Sequence, residues 1–146
     1  MYLKHLIILS IAFISTISVF AQNESVKGEW YTADKEAKIK IYECDNDEIC
    51  GKVVWLKEPN EEDGSPKKDV NNPDEDKHDN PILGMDLLKG FEKTDDKLWE
   101  NGTIYDPNNG KTYKCKLTLV EEDLLEVRGF IGFSFLGRTE EWTRAE

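Results

Sequence analysis

Histidine and serine are nearly absent from the body of this 146-residue chain. Beyond an apolar leader the single histidine is His78, and the serines are Ser25, Ser65 and Ser134. One histidine excludes a multi-histidine metal centre within a subunit and leaves a Ser-His-Asp triad a single base to use. Basic residues are also short, with 19 Lys and Arg against 30 Asp and Glu and a formal net charge of −11. A surface that follows phosphates needs a basic excess or stripe, so nucleic acid is excluded as a partner. No apolar run after the leader reaches the roughly 20 residues that a membrane helix requires. Size is not limiting: residues 22–146 suffice for one domain with its own core.

The leader itself is informative. Lys4 and His5 precede an apolar run from Leu6 to Phe20 without an acidic residue. Val19-Phe20-Ala21 places small residues where a signal peptidase reads, which predicts a signal peptide over residues 1–21 and cleavage before Gln22. The run is too short and too rich in Ser and Thr to remain as a membrane anchor. No cysteine follows the cleavage point, so a lipid anchor of the bacterial lipoprotein type is not expected. The expected location is the periplasm or the medium.

Three cysteines in an oxidising compartment imply one disulfide and one leftover thiol. Cys44 and Cys50 bracket Asp45-Asn46-Asp47-Glu48-Ile49 with strand-like sequence on both sides. A hairpin of that loop length brings its ends to roughly 5.5 Å between Cα atoms, which suits a disulfide. Cys115 shares a strand face with Tyr113, Leu117 and Leu119 and reads as a buried, inert thiol. Its pairing with Cys44 or Cys50 is the alternative. A catalytic role for it needs a base, and His78 alone is available.

Period-two patterning runs through the chain. It predicts strands at Gly28–Ala33, Ala37–Cys44, Cys50–Lys57, Leu83–Phe91, Leu98–Tyr105, Lys111–Val120, Leu124–Ile131 and Gly137–Arg144. Asn101-Gly102 predicts a bulge or tight bend, and Asn109-Gly110 supplies the positive φ angles of a hairpin turn. Eight short antiparallel strands in sequential order point to an all-β, up-and-down barrel or a sandwich. The barrel is preferred, since closure removes both edge strands. Gly28-Glu29-Trp30 at the start and Trp142-Thr143-Arg144 at the end resemble lipocalin-type barrels, in which an arginine of the last strand packs over the tryptophan of the first. Such a contact contributes about 0.5–2 kcal/mol.

A longer set of motifs carries a family resemblance. It comprises Asn72-Pro73-Asp74, Pro81-x-x-Gly84, and Trp99-x-x-Gly102-x-Ile104-Tyr105-Asp106-Pro107-x-x-Gly110-Lys111-x-Tyr113. Leu125-x-Val127-Arg128-Gly129-x-x-Gly132, Leu136-Gly137-Arg138-Thr139 and Trp142-x-Arg144 continue it, and Cys44 with Cys50-Gly51-Lys52 fits the same pattern. These motifs, spanning Gly28 to Arg144, resemble the family catalogued as domain of unknown function 2147. The resemblance implies a small exported bacterial barrel of lipocalin-like (calycin-type) architecture, and it supplies no catalytic or binding residues.

The stretch from Glu58 to Pro81 is a long acidic loop with nine carboxylates and three lysines. Loops beyond about 12–15 residues are usually functional or disordered. Calcium is a minor reading here, with Asp69, Asn71, Asp74 and Asp76 as ligands. The loop lacks the glycine and distal glutamate of the helix-loop-helix calcium pattern, and a solvated acidic loop is the ordinary alternative. Its first part, to Lys68, is expected to be mobile. Asp69 to Pro81 is expected either to fold as a lid over one end of the barrel or to form a plain turn. Arg128 and Arg138, beside Gly129, Gly132 and Gly137, are expected to converge as a polar clamp or an ion-pair network with Asp69 or Asp74. Trp30, Trp55, Trp99, Tyr105, Tyr113 and Phe130 are expected in the core, or around a pocket if the interior is underfilled. Phe133 and Phe135 form an exposed apolar patch at the rim or fold inward.

An acid/base pair from Asp69, Asp74 and Asp106 is not singled out by spacing, so an enzyme is the less favoured reading. The favoured one is a binding protein for a small, partly apolar molecule, with ligand contacts from Asp69, Asn72, Asp74, Trp99, Tyr113, Arg128 and Arg138. The alternative is an acidic, inhibitor-like module that captures a basic protein outside the cytoplasm.

Overall fold

In the computed structural model, residues 25–145 are described; the predicted signal peptide and its cleavage point lie outside them. Eight antiparallel strands follow one another: β1 (Gly28–Tyr31), β2 (Ala37–Glu43), β3 (Ile49–Leu56), β4 (Asp86–Asp95), β5 (Leu98–Asp106), β6 (Lys111–Glu121), β7 (Leu124–Phe130) and β8 (Gly137–Arg144). Each pairs with the next, and β8 returns to β1 through Trp30↔Arg144 and Tyr31↔Thr143, closing the barrel. The period-two pattern therefore does what it predicts: Ile39 and Ile41, Leu117 and Leu119, and Leu125 and Val127 point inward.

Strand boundaries differ from expectation chiefly in β4 and β1. Ile82 to Met85 is not the start of β4, because Gly84 takes φ +91 and bonds to the Val53 carbonyl while Met85 bonds back to Ile82. At its other end β4 runs on to Asp95 as a polar ribbon paired with β5, beyond any apolar signal. The first strand stops at Tyr31 because Thr32 and Ala37 close a tight turn around Lys35, which has φ +58.

The expected irregularity in β5 is present, with Asn101 at φ 64 and a register shift between Trp99 and Gly102. Its purpose is packing. A Cβ on Gly102 would collide with the fully buried ring of Phe91. Burying such a ring stabilises the fold by about 1.5–3 kcal/mol. In the β5–β6 turn only Gly110 takes a positive φ, and its bare Cα lies against the Asn71 carbonyl.

The loops β2–β3, β4–β5 and β6–β7 and the segment before β1 gather at one end, which is closed. Trp30 is fully buried there and donates Nε1–H to the Val26 carbonyl at 2.8 Å. The Arg144 guanidinium lies 4.1 Å from the Trp30 ring centroid. It donates to the carbonyls of Glu122 (2.7 Å), Lys27 (3.0 Å) and Ser25 (2.8 Å), tying three segments together. Cys44 and Cys50 form a disulfide with Cα atoms 5.8 Å apart, beside this end. Cys115 is a free, buried thiol, and burial pushes its pKa up to about 12, so it is inert at neutral pH.

Candidate functional site: the cavity at the barrel mouth

The opposite end is the mouth, formed by the loops β1–β2, β3–β4, β5–β6 and β7–β8. An eight-stranded barrel is just wide enough to be filled by side chains or to hold one small ligand. Here the closed half is filled by Trp30, Phe91, Trp99 and Leu117. The mouth half is not, and a cavity of about 790 Å³ opens from it to solvent. Small inward positions explain the difference. Gly129 has no side chain, Ala37 adds only a methyl group, and a Cβ on Gly129 would meet Ile104 and Tyr113 only at 3.6 and 3.8 Å. The floor is apolar, from Ile39, Val53, Val127 and Trp142, and Ile104 and Tyr113 form part of the wall.

Trp142 also carries a donor that is buried away from the cavity's open space. Its indole is 2 % exposed, yet Nε1–H, shielded from solvent, meets no acceptor among the described residues. Buried donors are nearly always paired, and an unpaired one costs about 1–3 kcal/mol. The rim, by contrast, is acidic. Asp34, Glu36, Glu58, Asp106 and Glu140 face the opening with Lys67 and Arg138. Three of these acids are ion-paired: Glu36 with Lys57 at 2.7 Å, Glu58 with Lys67 at 3.6 Å and Glu140 with Arg138 at 3.1 Å. Asp34 instead accepts from Thr32 Oγ1 and the Glu36 amide, and the Thr32 bond, offsetting the cost of burial, holds its carboxyl below the usual range. Asp106 accepts from the Asn108 amide and Asn109 Nδ2.

Of the residues predicted to bind ligand, Tyr113 and Arg138 border the cavity. Trp99 is buried in the filled half and does not. Arg128 and Arg138 do not converge. The register pairs Gly129 with Arg138 and Arg128 with Thr139, so Arg138 shares the inner-face parity of Trp142 while Arg128 is on the outer face. Arg128 spends its donors on Thr139 Oγ1 (2.7 Å) and the Ser134 carbonyl (2.8 Å), and neither arginine is paired with Asp69 or Asp74.

Asp69, Asn72 and Asp74 build a turn rather than a cover. Asp69 is 1 % exposed, and its two oxygens accept from Tyr105 Oη at 2.7 Å and Asn72 Nδ2 at 2.6 Å. Asn72 Oδ1 accepts the Asp74 amide, and His78 Nε2 donates to the Asn72 carbonyl. Asp74 caps the short 3₁₀ turn Glu75–Lys77 and pairs with Lys77 at 2.8 Å, which holds its pKa low. Asn71 Nδ2 bridges the Pro107 and Asn108 carbonyls. The segment is thus docked on the β5–β6 turn, and only its flanks, Lys67 and Ile82, border the cavity. The lid expectation is corrected accordingly. The calcium ligand set does not assemble either: both Asp69 oxygens accept hydrogen bonds, and those of Asp74 are taken by the Asp76 amide and Lys77. Among the described residues no group of three or more His, Cys, Asp or Glu is placed to hold a metal. Residues 58–68, expected to be mobile, carry a small hairpin with an Asn60↔Pro66 bridge.

Burial, and then the Asp69 bond, push the Tyr105 pKa from 10.0 up to about 12. Removing the hydroxyl leaves a buried carboxylate short of a donor, so Tyr105→Phe is expected to cost about 1–3 kcal/mol in urea unfolding at pH 7. The raised folded pKa means that this stabilisation is complete below pH 10 and is lost as pH rises through about 12. The variant should lack that alkaline component; an unchanged alkaline profile would assign it elsewhere.

The comparisons with known proteins agree with this architecture. The family described as "Uncharacterized protein conserved in bacteria (DUF2147)" matches residues 28–144, and the chain belongs to that family. Its fold is similar to that of a solved protein titled "Protein HP1028 from the human pathogen Helicobacter pylori belongs to the lipocalin family". That likeness has a TM-score of 0.73 at 21 % identity over 84 % of each chain, and it shows a common fold. No curated protein matches the chain.

Proposed function

We propose that this is an exported lipocalin-like binding protein that holds one small, partly apolar molecule in the mouth cavity. The carrying observation is that a closed eight-stranded barrel has at its mouth a cavity of about 790 Å³, bounded below by apolar barrel residues and above by the rim loops. Ile39, Val53 and Val127 receive the apolar body of the ligand. A polar outer end would remain among the rim carboxylates. Export is supported by the signal-like residues 1–21 and by the Cys44–Cys50 disulfide. Titration with the neutral fluorophore N-phenyl-1-naphthylamine tests the reading. Saturable enhancement at one site per chain is expected, and a linear, non-saturating response would contradict it.

A further inference from the structure

The loop between β7 and β8 is the most apolar exposed surface among the described residues. Ile131, Phe133, Phe135 and Leu136 are 67 %, 69 %, 74 % and 61 % exposed, all within six residues. Single exposed apolar residues are ordinary; four large ones on one loop mark an interaction surface. The loop is also braced. Phe133 and Phe135 stack at 5.7 Å with an interplanar angle of 8°, the Leu136 amide bonds to the Phe133 carbonyl, and Arg128 holds the Ser134 carbonyl. It therefore projects its side chains from a formed structure.

The charge beneath the loop is of the opposite sign to that of the whole chain. Lys114 and Lys116 on β6 alternate with buried Cys115 and Leu117, so they lie on the outer face, and the register places them beside Phe130 and Arg128. Arg138 follows at the base of the loop. Three cations, Lys114, Lys116 and Arg128, thus share the outer face beneath the apolar tip in a chain of net charge −11, while Arg138 stands at the rim, paired with Glu140. The nearest carboxylates are Glu140, paired with Arg138, Glu100 across a shallow groove from Lys114 and Lys116, and Glu126 and Glu141 one row further from the tip. The unpaired rim acids Asp34 and Asp106 belong to other loops of the mouth.

We propose that this tip docks the protein on an anionic lipid bilayer. Ile131, Phe133, Phe135 and Leu136 enter the headgroup boundary, while Lys114, Lys116 and Arg128 on the outer face stand toward the phosphates. Charge complementarity selects this occupant. A purely apolar protein partner would not require the cations, and the remaining acidic surface is repelled, which tilts the barrel onto the β7–β8 corner. Ile131 and Leu136 also border the cavity, so docking would place its opening at the lipid surface. The inference does not depend on what the cavity holds.

The test is co-sedimentation of the exported form, verified by mass to lack residues 1–21, with vesicles of phosphatidylglycerol and phosphatidylethanolamine or of phosphatidylcholine alone. Binding to the anionic vesicles is expected, at least ten-fold weaker on phosphatidylcholine and weakened by salt. The exposed double variant Phe133→Ser/Phe135→Ser, checked for an unchanged melting temperature, should lose at least ten-fold in partition. Lys114→Glu/Lys116→Glu should lose anionic preference while retaining the apolar tip. Equal binding by the serine variant, or equal binding to both lipid compositions, would overturn the proposal. So would failure to bind either vesicle, the outcome expected if the tip serves a protein partner.

Discussion

Gly129→Phe is expected to weaken ligand binding more than ten-fold, about 1.4 kcal/mol or more, without unfolding the barrel. Position 129 faces inward between Val127 and the mouth, opposite Cys115. Its φ is not in the left-handed region, and a Cβ there makes only ordinary contacts with Ile104 and Tyr113. The added ring is therefore accommodated by occupying the cavity rather than by straining the strand. Filling an apolar void commonly adds about 0.5–2 kcal/mol of stability, so the melting temperature should hold or rise. The informative result is the combination. Weakened binding of N-phenyl-1-naphthylamine with retained stability places the ligand inside; retained binding would place it elsewhere.

Arg144→Met should have the largest effect on stability, about 2–4 kcal/mol. The guanidinium makes three charge-assisted hydrogen bonds to backbone carbonyls and covers the Trp30 ring. Each such bond contributes about 1.5–3 kcal/mol when fully realised, and the ring contact about 0.5–2 kcal/mol. Partial rehydration of the freed carbonyls returns some of this loss. The methionine keeps most of the apolar stem, so the difference reports the charged fork. A fall of about 1–2 M in the urea midpoint is expected. Arg144→Lys should recover little, because an ammonium cannot serve three diverging acceptors while lying flat on an indole. If Arg144→Met unfolds at the same urea concentration as the parent, the closed end is held by packing alone.

The strands were legible because alternation such as Lys38-Ile39-Lys40-Ile41 can bury only one face, and because turns such as Asp106 to Gly110 have few conformations. The polar ribbon at the end of β4 was not, since Glu92 to Asp95 bury nothing and so carry no period. Asp69 was hidden for a related reason: a carboxylate in an acidic loop reads as solvated, and its burial depends on Tyr105, 36 residues away. The separation of Arg128 from Arg138 follows from hairpin register, where a shift of one residue exchanges the two faces of a strand. The cavity is the least legible feature. Gly129 announces room for a close approach, but whether a neighbour fills that room depends on the side chains of six other strands.

Native mass spectrometry of the exported protein, purified without detergent and not reduced, tests the central claim most directly. Occupancy of the barrel predicts an adduct of a few hundred daltons, consistent with the cavity of about 790 Å³, that is lost on denaturation and diminished in Gly129→Phe. A bare polypeptide mass that stays bare after incubation with N-phenyl-1-naphthylamine would contradict it.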